Sequence, residues 1–189
     1  VRVGGEAEAI WRPGFNDGIA YVQNIVGMSQ YLLGDYPAAV AKLTEAVTTA
    51  DEWDAPRPEA LAQWNLAVVN LLHGVYDAAL KYGRDAETLM TRLGLDRSAN
   101  APRLAAEAAL RHDHAGLARA LLVAAREWTR CGDLFPGPVL AARAASVARL
   151  HQLPEVAAEA DALAAELRGR QLLPASAAEA EAEPESASD

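Results

Sequence analysis

The 189-residue chain contains one cysteine, Cys131, and only two lysines, Lys42 and Lys81. A single thiol forms no intrachain disulfide, so no covalent staple holds the fold, and a reducing cytoplasm is the expected compartment. Aromatic residues make up 6% of the chain, so its interior must be built from small and aliphatic side chains. No apolar run approaches the roughly 20 residues of a membrane-spanning helix, and the amino terminus lacks the basic-then-apolar pattern of a secretory signal. Positive charge is also short: 17 Lys and Arg stand against 26 Asp and Glu, a net charge of -9. That balance argues against general nucleic-acid binding and against an anionic membrane surface. Glycine-rich phosphate loops, a Ser-His-Asp order and glutamate-pair motifs are missing as well, because glycines fall at turns and acids on polar faces. Neither catalysis nor a cofactor is expected.

What the chain has in excess is alanine, the commonest residue, which packs helices closely and favours an all-α architecture over a sheet. It also has a repeat. Gly34-Asp35-Tyr36-Pro37-Ala38-Ala39-Val40 returns 40 residues later as Gly74-Val75-Tyr76-Asp77-Ala78-Ala79-Leu80. A glycine followed by an aromatic and then by alanine suits a tight reversal between two antiparallel helices. In the first repeat, Val22, Ile25, Val26, Ser29 and Leu33 follow helical spacing and predict one buried face of a first helix. A second helix is expected from about Pro37 to Trp53, and a second pair from Leu61 to Leu72 and from Asp77 to Leu93, with Gly94 as its stop. Two degenerate copies follow, with Asp113 and Gln152 at the turn position. Ala118, Leu122 and Ala125, then Ala157, Asp161 and Ala164, take the places of Ala39, Leu43 and Ala46. About four antiparallel helix pairs thus account for residues 17–173, stacked as a solenoid in which each pair buries its apolar face on the next.

Gly34, Tyr36, Ala39, Leu43 and Ala46 resemble the second half of a tetratricopeptide repeat, and Trp64-Asn65-Leu66-Ala67 with Gly74, Tyr76, Ala79 and Ala86 resembles nearly a whole one. The longer spacing is similar to that of arrays attached to bacterial multidomain transcription activators and signal-transduction ATPases. The resemblance implies a right-handed superhelix that binds another protein or peptide, including an acidic one, along the surface of its first helices. Carried over by register, that surface comprises Tyr21, Asn24, Met28 and Tyr31, then Trp64 and Asn65, then Arg103, Glu107 and Arg111, and finally Arg149. The alternative for these residues is ordinary packing between repeats, for Trp64 and Tyr31, and a solvated face, for the arginines. A rival function is the ligand- or partner-sensing carboxy-terminal segment of a larger transcription regulator. A helical enzyme using Cys131 or the His112 region is the second rival, without support from any motif.

The ends are set apart. Glu6-Ala7, Trp11 and Pro13 echo Glu45-Ala46, Trp53 and Pro56, so residues 1–16 are expected to close a preceding, truncated repeat, and the chain to be the tail of a longer protein. Residues 174–189 carry five acids, no base and no large apolar residue, and are expected to be a disordered tail whose charge complements Arg103, Arg111 and Arg149. His112-Asp113-His114 combines metal-ligating types, but alternate helical residues diverge, and Asp113 reads better as a helix N-cap, so no metal is expected. His73 and His151 stand just before their turn residues, where a helix end rather than a catalytic base is expected.

Overall fold

The computed structural model describes residues 16–95, 100–130 and 136–172. Eight α-helices and no strand occur among them: α1 (Asn16–Leu32), α2 (Tyr36–Glu52), α3 (Pro56–His73), α4 (Tyr76–Arg92), α5 (Ala101–Leu110), α6 (His114–Arg130), α7 (Gly137–Leu150) and α8 (Pro154–Leu172). They pack as four neighbouring pairs, α1 with α2 through α7 with α8, and each pair packs on the next. Direct contacts between the first helices of successive pairs join α1 to α3 and α3 to α5. None of the helices described is long and apolar enough to cross a membrane. The proposed preceding repeat in residues 1–15, Cys131 and the acidic tail lie outside the described residues.

One backbone device stops six of the helices. A residue with positive φ follows the last turn at Gly34, Asp54, Gly74, Gly94, His112 and Gln152. The amide of the next residue then bonds to the carbonyl five residues back, for example Asp35 to Gln30 at 2.9 Å, Val75 to Asn70 at 2.9 Å and Leu153 to Ala148 at 2.8 Å. Carbonyls that a helix end leaves orphaned are satisfied before the chain turns. Positions 34, 54, 74 and 94 are evenly spaced by 20 residues, so one half-repeat is a helix plus this turn. Helices restart at once: Asp35 caps α2 through the Ala38 amide at 3.1 Å, Pro56 and Pro58 fill the first turn of α3, where amides have no helical partner, and Asp113 caps α6 through the Gly116 amide at 2.8 Å.

The turns correct the register in the third pair. Gly34 and Gly74 correspond to His112, not to Asp113, because His112 carries the positive φ and Asp113 is the cap that Asp35 is in the first pair. The residue at the Ala39 position is therefore Leu117: Ala39, Ala79, Leu117 and Ala157 each donate to the carbonyl of the capping position, at 2.9–3.0 Å. Ala118, Leu122 and Ala125 are buried all the same, since the face of α6 is apolar on both sides of the seam. Expectations for α1 also need correction. Val26 is buried, but Ile25 is 62% and Leu33 71% exposed.

Alanines dominate the interior, and one continuous core runs from α3 to α8, with a smaller one formed by Met28, Ala39, Leu43, Leu66 and Val69. Close approach needs the small residues. A Cβ at Gly27 would stand 2.7 Å from Leu43 Cγ, and one at Gly83 would stand 3.0 Å from the Arg103 backbone. Since a non-glycine residue at positive φ costs about 1–2 kcal/mol, Gln152→Gly is expected to stabilise the chain by roughly 1 kcal/mol and Gly74→Ala to destabilise it by a similar amount. Urea unfolding midpoints at unchanged slope check both signs.

Candidate partner-binding surface

In the middle of the stack, α3 is covered by its own second helix α4, by α2, and by the neighbouring first helices α1 and α5. The side left open belongs to residues that stand two before each positive-φ turn. Those are Leu32, Leu72, Leu110 and Leu150, a leucine in all four pairs. Leu32, Leu110 and Leu150 are 45%, 40% and 77% exposed, and Leu72 packs on the rim of the core. Tyr21 is exposed one helical stretch earlier on the same side of α1. Arg143 in α7 lies near enough to Tyr31 in α1 to favour the phenolate, although burial outweighs it and pushes the Tyr31 hydroxyl above its ordinary value.

Four of the residues expected on it are placed inside instead. Asn65 of α3 is fully buried and donates through Nδ2 to Oδ1 of the buried Asn24 of α1 at 2.8 Å, so the two amides join repeats rather than wait for a ligand. Met28 belongs to the smaller core and Trp64 to the larger. The bond satisfies Asn65 Nδ2 and Asn24 Oδ1, which would otherwise cost about 1–3 kcal/mol each, while Asn65 Oδ1 is buried without a partner. Tyr21 and Tyr31 do reach the surface, as do Arg111 and Arg149, the latter paired to Asp161 of α8 at 2.5 Å. Arg143 and the leucine row went unnoticed, although the row is legible once leucines are counted back from the turns.

Arg103 and Glu107 belong to an internal network. Gly83 lets α5 approach α4, and Arg103 there bonds to Glu87 at 2.5 Å and to Glu107 at 2.9 Å, with Arg84 and Arg111 3.6 and 3.9 Å from Glu107. Hydrogen bonding to Glu87 raises the Arg103 guanidinium above its ordinary value. Burial works against the charged form of Glu107, but the bond from Arg103 and the charges of Arg103, Arg111 and Arg84 together hold it below the usual carboxylate value.

The chain matches no protein-family model and no curated protein. Its chemistry must be argued from its own residues. No group of three or more potential ligands able to hold a metal ion occurs among the described residues. The histidines serve the junctions: His73 stacks on Tyr36 of the preceding pair at 3.6 Å and 6°, and His151 on His114 at 3.5 Å and 7°. His112 sits tilted 6.4 Å from His114.

Because Glu107 has a lowered folded value, its contribution to stability is complete above its ordinary 4.5 and is lost as pH falls through that lowered value. Arg103→Ala is expected to cost roughly 1–3 kcal/mol at neutral pH, where it strands two partly buried carboxylates. Equilibrium unfolding of both proteins from pH 7 downward should show the difference shrinking below about pH 4.5, and a difference that grows on acidification would refute this assignment.

Proposed function

We propose that the chain is a tetratricopeptide-type array that binds a segment of another protein on the open side of its first helices and has no catalysis of its own. The exposed leucine row carries this reading. A monomeric surface seldom repeats a large apolar residue at one structural position without a partner to cover it. Arg143 and Arg149 border the row at α7, so the fitting segment is apolar along its length and acidic at that end. A right-handed superhelical course, a disordered acidic tail in residues 174–189 and a cytoplasmic setting belong to the same reading. Scaffolding is favoured over enzymatic work by Asn24, Asn65 and Asn70, buried side chains that bond across the junction of the first two pairs.

A second reading is the partner-sensing segment of a larger regulator, favoured by the exposed Ile25 and Leu33 of α1.

Selection from a peptide library displayed on phage, against the full chain, tests the first reading. Recovered peptides are expected to combine large apolar residues with Asp or Glu. They should lose at least about tenfold in affinity to Leu110→Lys/Leu150→Lys, and several-fold to Arg143→Glu, while helicity by circular dichroism stays unchanged. Peptides that bind both variants as they bind the parent would place the binding surface elsewhere.

A further inference from the structure

Toward the carboxy-terminal end of the array, Arg126 pairs with Glu159 and Arg149 with Asp161, one base to one acid. The cluster where α4 meets α5 is different. There Arg84, Arg103 and Arg111 share two carboxylates, those of Glu87 and Glu107, so the junction holds a surplus positive charge on a chain of net charge -9. Arg103 is the arginine that joins the helices. Its Nε and Nη2 donate to Glu87, its Nη1 donates to Glu107 at 2.9 Å, and only 21% of its side chain is exposed. Arg84 and Arg111 are held loosely. Each brings Nη2 toward the Glu107 carboxylate but stops at 3.6 and 3.9 Å, past the length of a hydrogen bond, with 61% and 76% of the side chain exposed. An exposed pair at such a distance adds little to stability, so the fold does not account for either arginine.

Glu107 sets their direction. Its two oxygens are approached from two helices, Oε1 by Arg84 of α4 and Oε2 by Arg111 of α5. Two guanidinium groups with donors left over thus converge on one point of the surface, an arrangement that takes up a further carboxylate from outside. Their position relative to the leucine row is also fixed. Glu107, Leu110 and Arg111 stand at i, i+3 and i+4 of α5 and share one side of that helix, so the arginines lie beside the third leucine.

We propose that Arg84 and Arg111 form an anion subsite for a carboxylate side chain of the partner segment, an Asp or Glu close in sequence to the apolar residue that covers Leu110. The partner's carboxylate brings the cluster to three acids against three bases. Glu107 and Arg103 are positioning residues: Glu107 keeps the two guanidinium groups together while the site is empty, and Arg103 keeps Glu107 in place. The inference rests on the leucine row as the binding surface and adds to it an acidic position in the middle of the segment, separate from the one at α7. A protein is favoured over a nucleic acid because the surplus is a single charge beside apolar residues on an acidic chain.

The test uses the full chain and peptides selected on it from a library displayed on phage. Recovered peptides are expected to share an acid at one fixed offset from an apolar residue, and peptides selected on Arg84→Glu/Arg111→Glu to carry Lys or Arg at that offset. By calorimetry, changing the shared acid to Lys should weaken binding to the parent by at least about tenfold and strengthen binding to the reversed variant. Where that variant fails to fold by circular dichroism, Arg84→Gln/Arg111→Gln is read instead: it should keep the helicity of the parent and bind the Glu and Gln forms of one peptide equally. Peptides that lose affinity to Leu110→Lys but bind the arginine variants as they bind the parent overturn the subsite and leave the leucine row standing. Sensitivity to the arginines without sensitivity to Leu110→Lys keeps the subsite and moves the apolar contact elsewhere. Indifference to both changes, or recovery of no peptide, overturns both readings. An oligonucleotide that binds the parent and loses affinity to the glutamine variant would assign the arginines to phosphate and overturn the carboxylate subsite.

Discussion

Helices in this array end by bonding their own last carbonyls around one residue of positive φ, and the spacing of those residues governs everything built on top. With turns at 34, 54, 74 and 94, every helix from α2 to α4 has the same length of chain in which to run and return. Equal lengths put the same side chain at the same height in successive pairs, so a face that fits its neighbour once fits it again. Nearest-neighbour stacking of this kind needs no contacts remote in sequence, and stability accumulates along the stack. Where glycine is replaced at the turn, by Asp54, His112 or Gln152, the same hydrogen bonds persist, and the backbone bears the strain of a left-handed residue instead.

A constant backbone has allowed the junctions to differ in chemistry. Between the first and second pairs the seam is polar and aromatic: the Asn24–Asn65 amides, the Tyr36–Asn70 bond and the Tyr36–His73 stack. Between the second and third, Gly83 replaces the leucine found at position 43, α5 comes against the α4 backbone, and Arg103 spans to Glu87 and Glu107. The third and fourth are joined by the His114–His151 stack and by the Arg126–Glu159 pair. Volume removed at one position is filled from the facing helix, as Gly27 is by Leu43. A core largely of alanine supplies little transfer energy per residue, which makes these specific contacts decisive for which repeat follows which.

The helices and their pairing were legible because they rest on local signals: a glycine, an aromatic and an alanine at fixed offsets, and prolines where a first turn tolerates them. Asp113 was recognisable as a cap for the same reason. The third turn was misplaced by one residue because nothing about a histidine announces a left-handed backbone, whereas the aspartate beside it does look like a turn residue. Asn24 and Asn65 were assigned to the surface by the register carried over from the tetratricopeptide resemblance. Their actual partner is 41 residues away, and no spacing within one helix reveals it. Arg103 was taken for a free cation on the same footing, since its two carboxylates lie on separate turns and separate helices. Ile25 and Leu33 follow a proper helical stripe and yet are exposed, because a stripe says that a face is apolar and not that anything lies against it.

That last failure bears on direction. In a stack of like units the first helix of each pair is shaped for the second helix of the pair before it. α8 carries Asp161, paired with Arg149, where α2 carries the buried Leu43. α1 carries an acceptor, Gln30 Oε1, at the place where α3 receives a tyrosine hydroxyl. An unpaired buried acceptor is a standing cost of about 1–3 kcal/mol, small against the whole array but large for the helix that bears it. The outer residues of the first and last described helices therefore differ, with exposed Ile25 and Leu33 on α1 and Asp161 on α8.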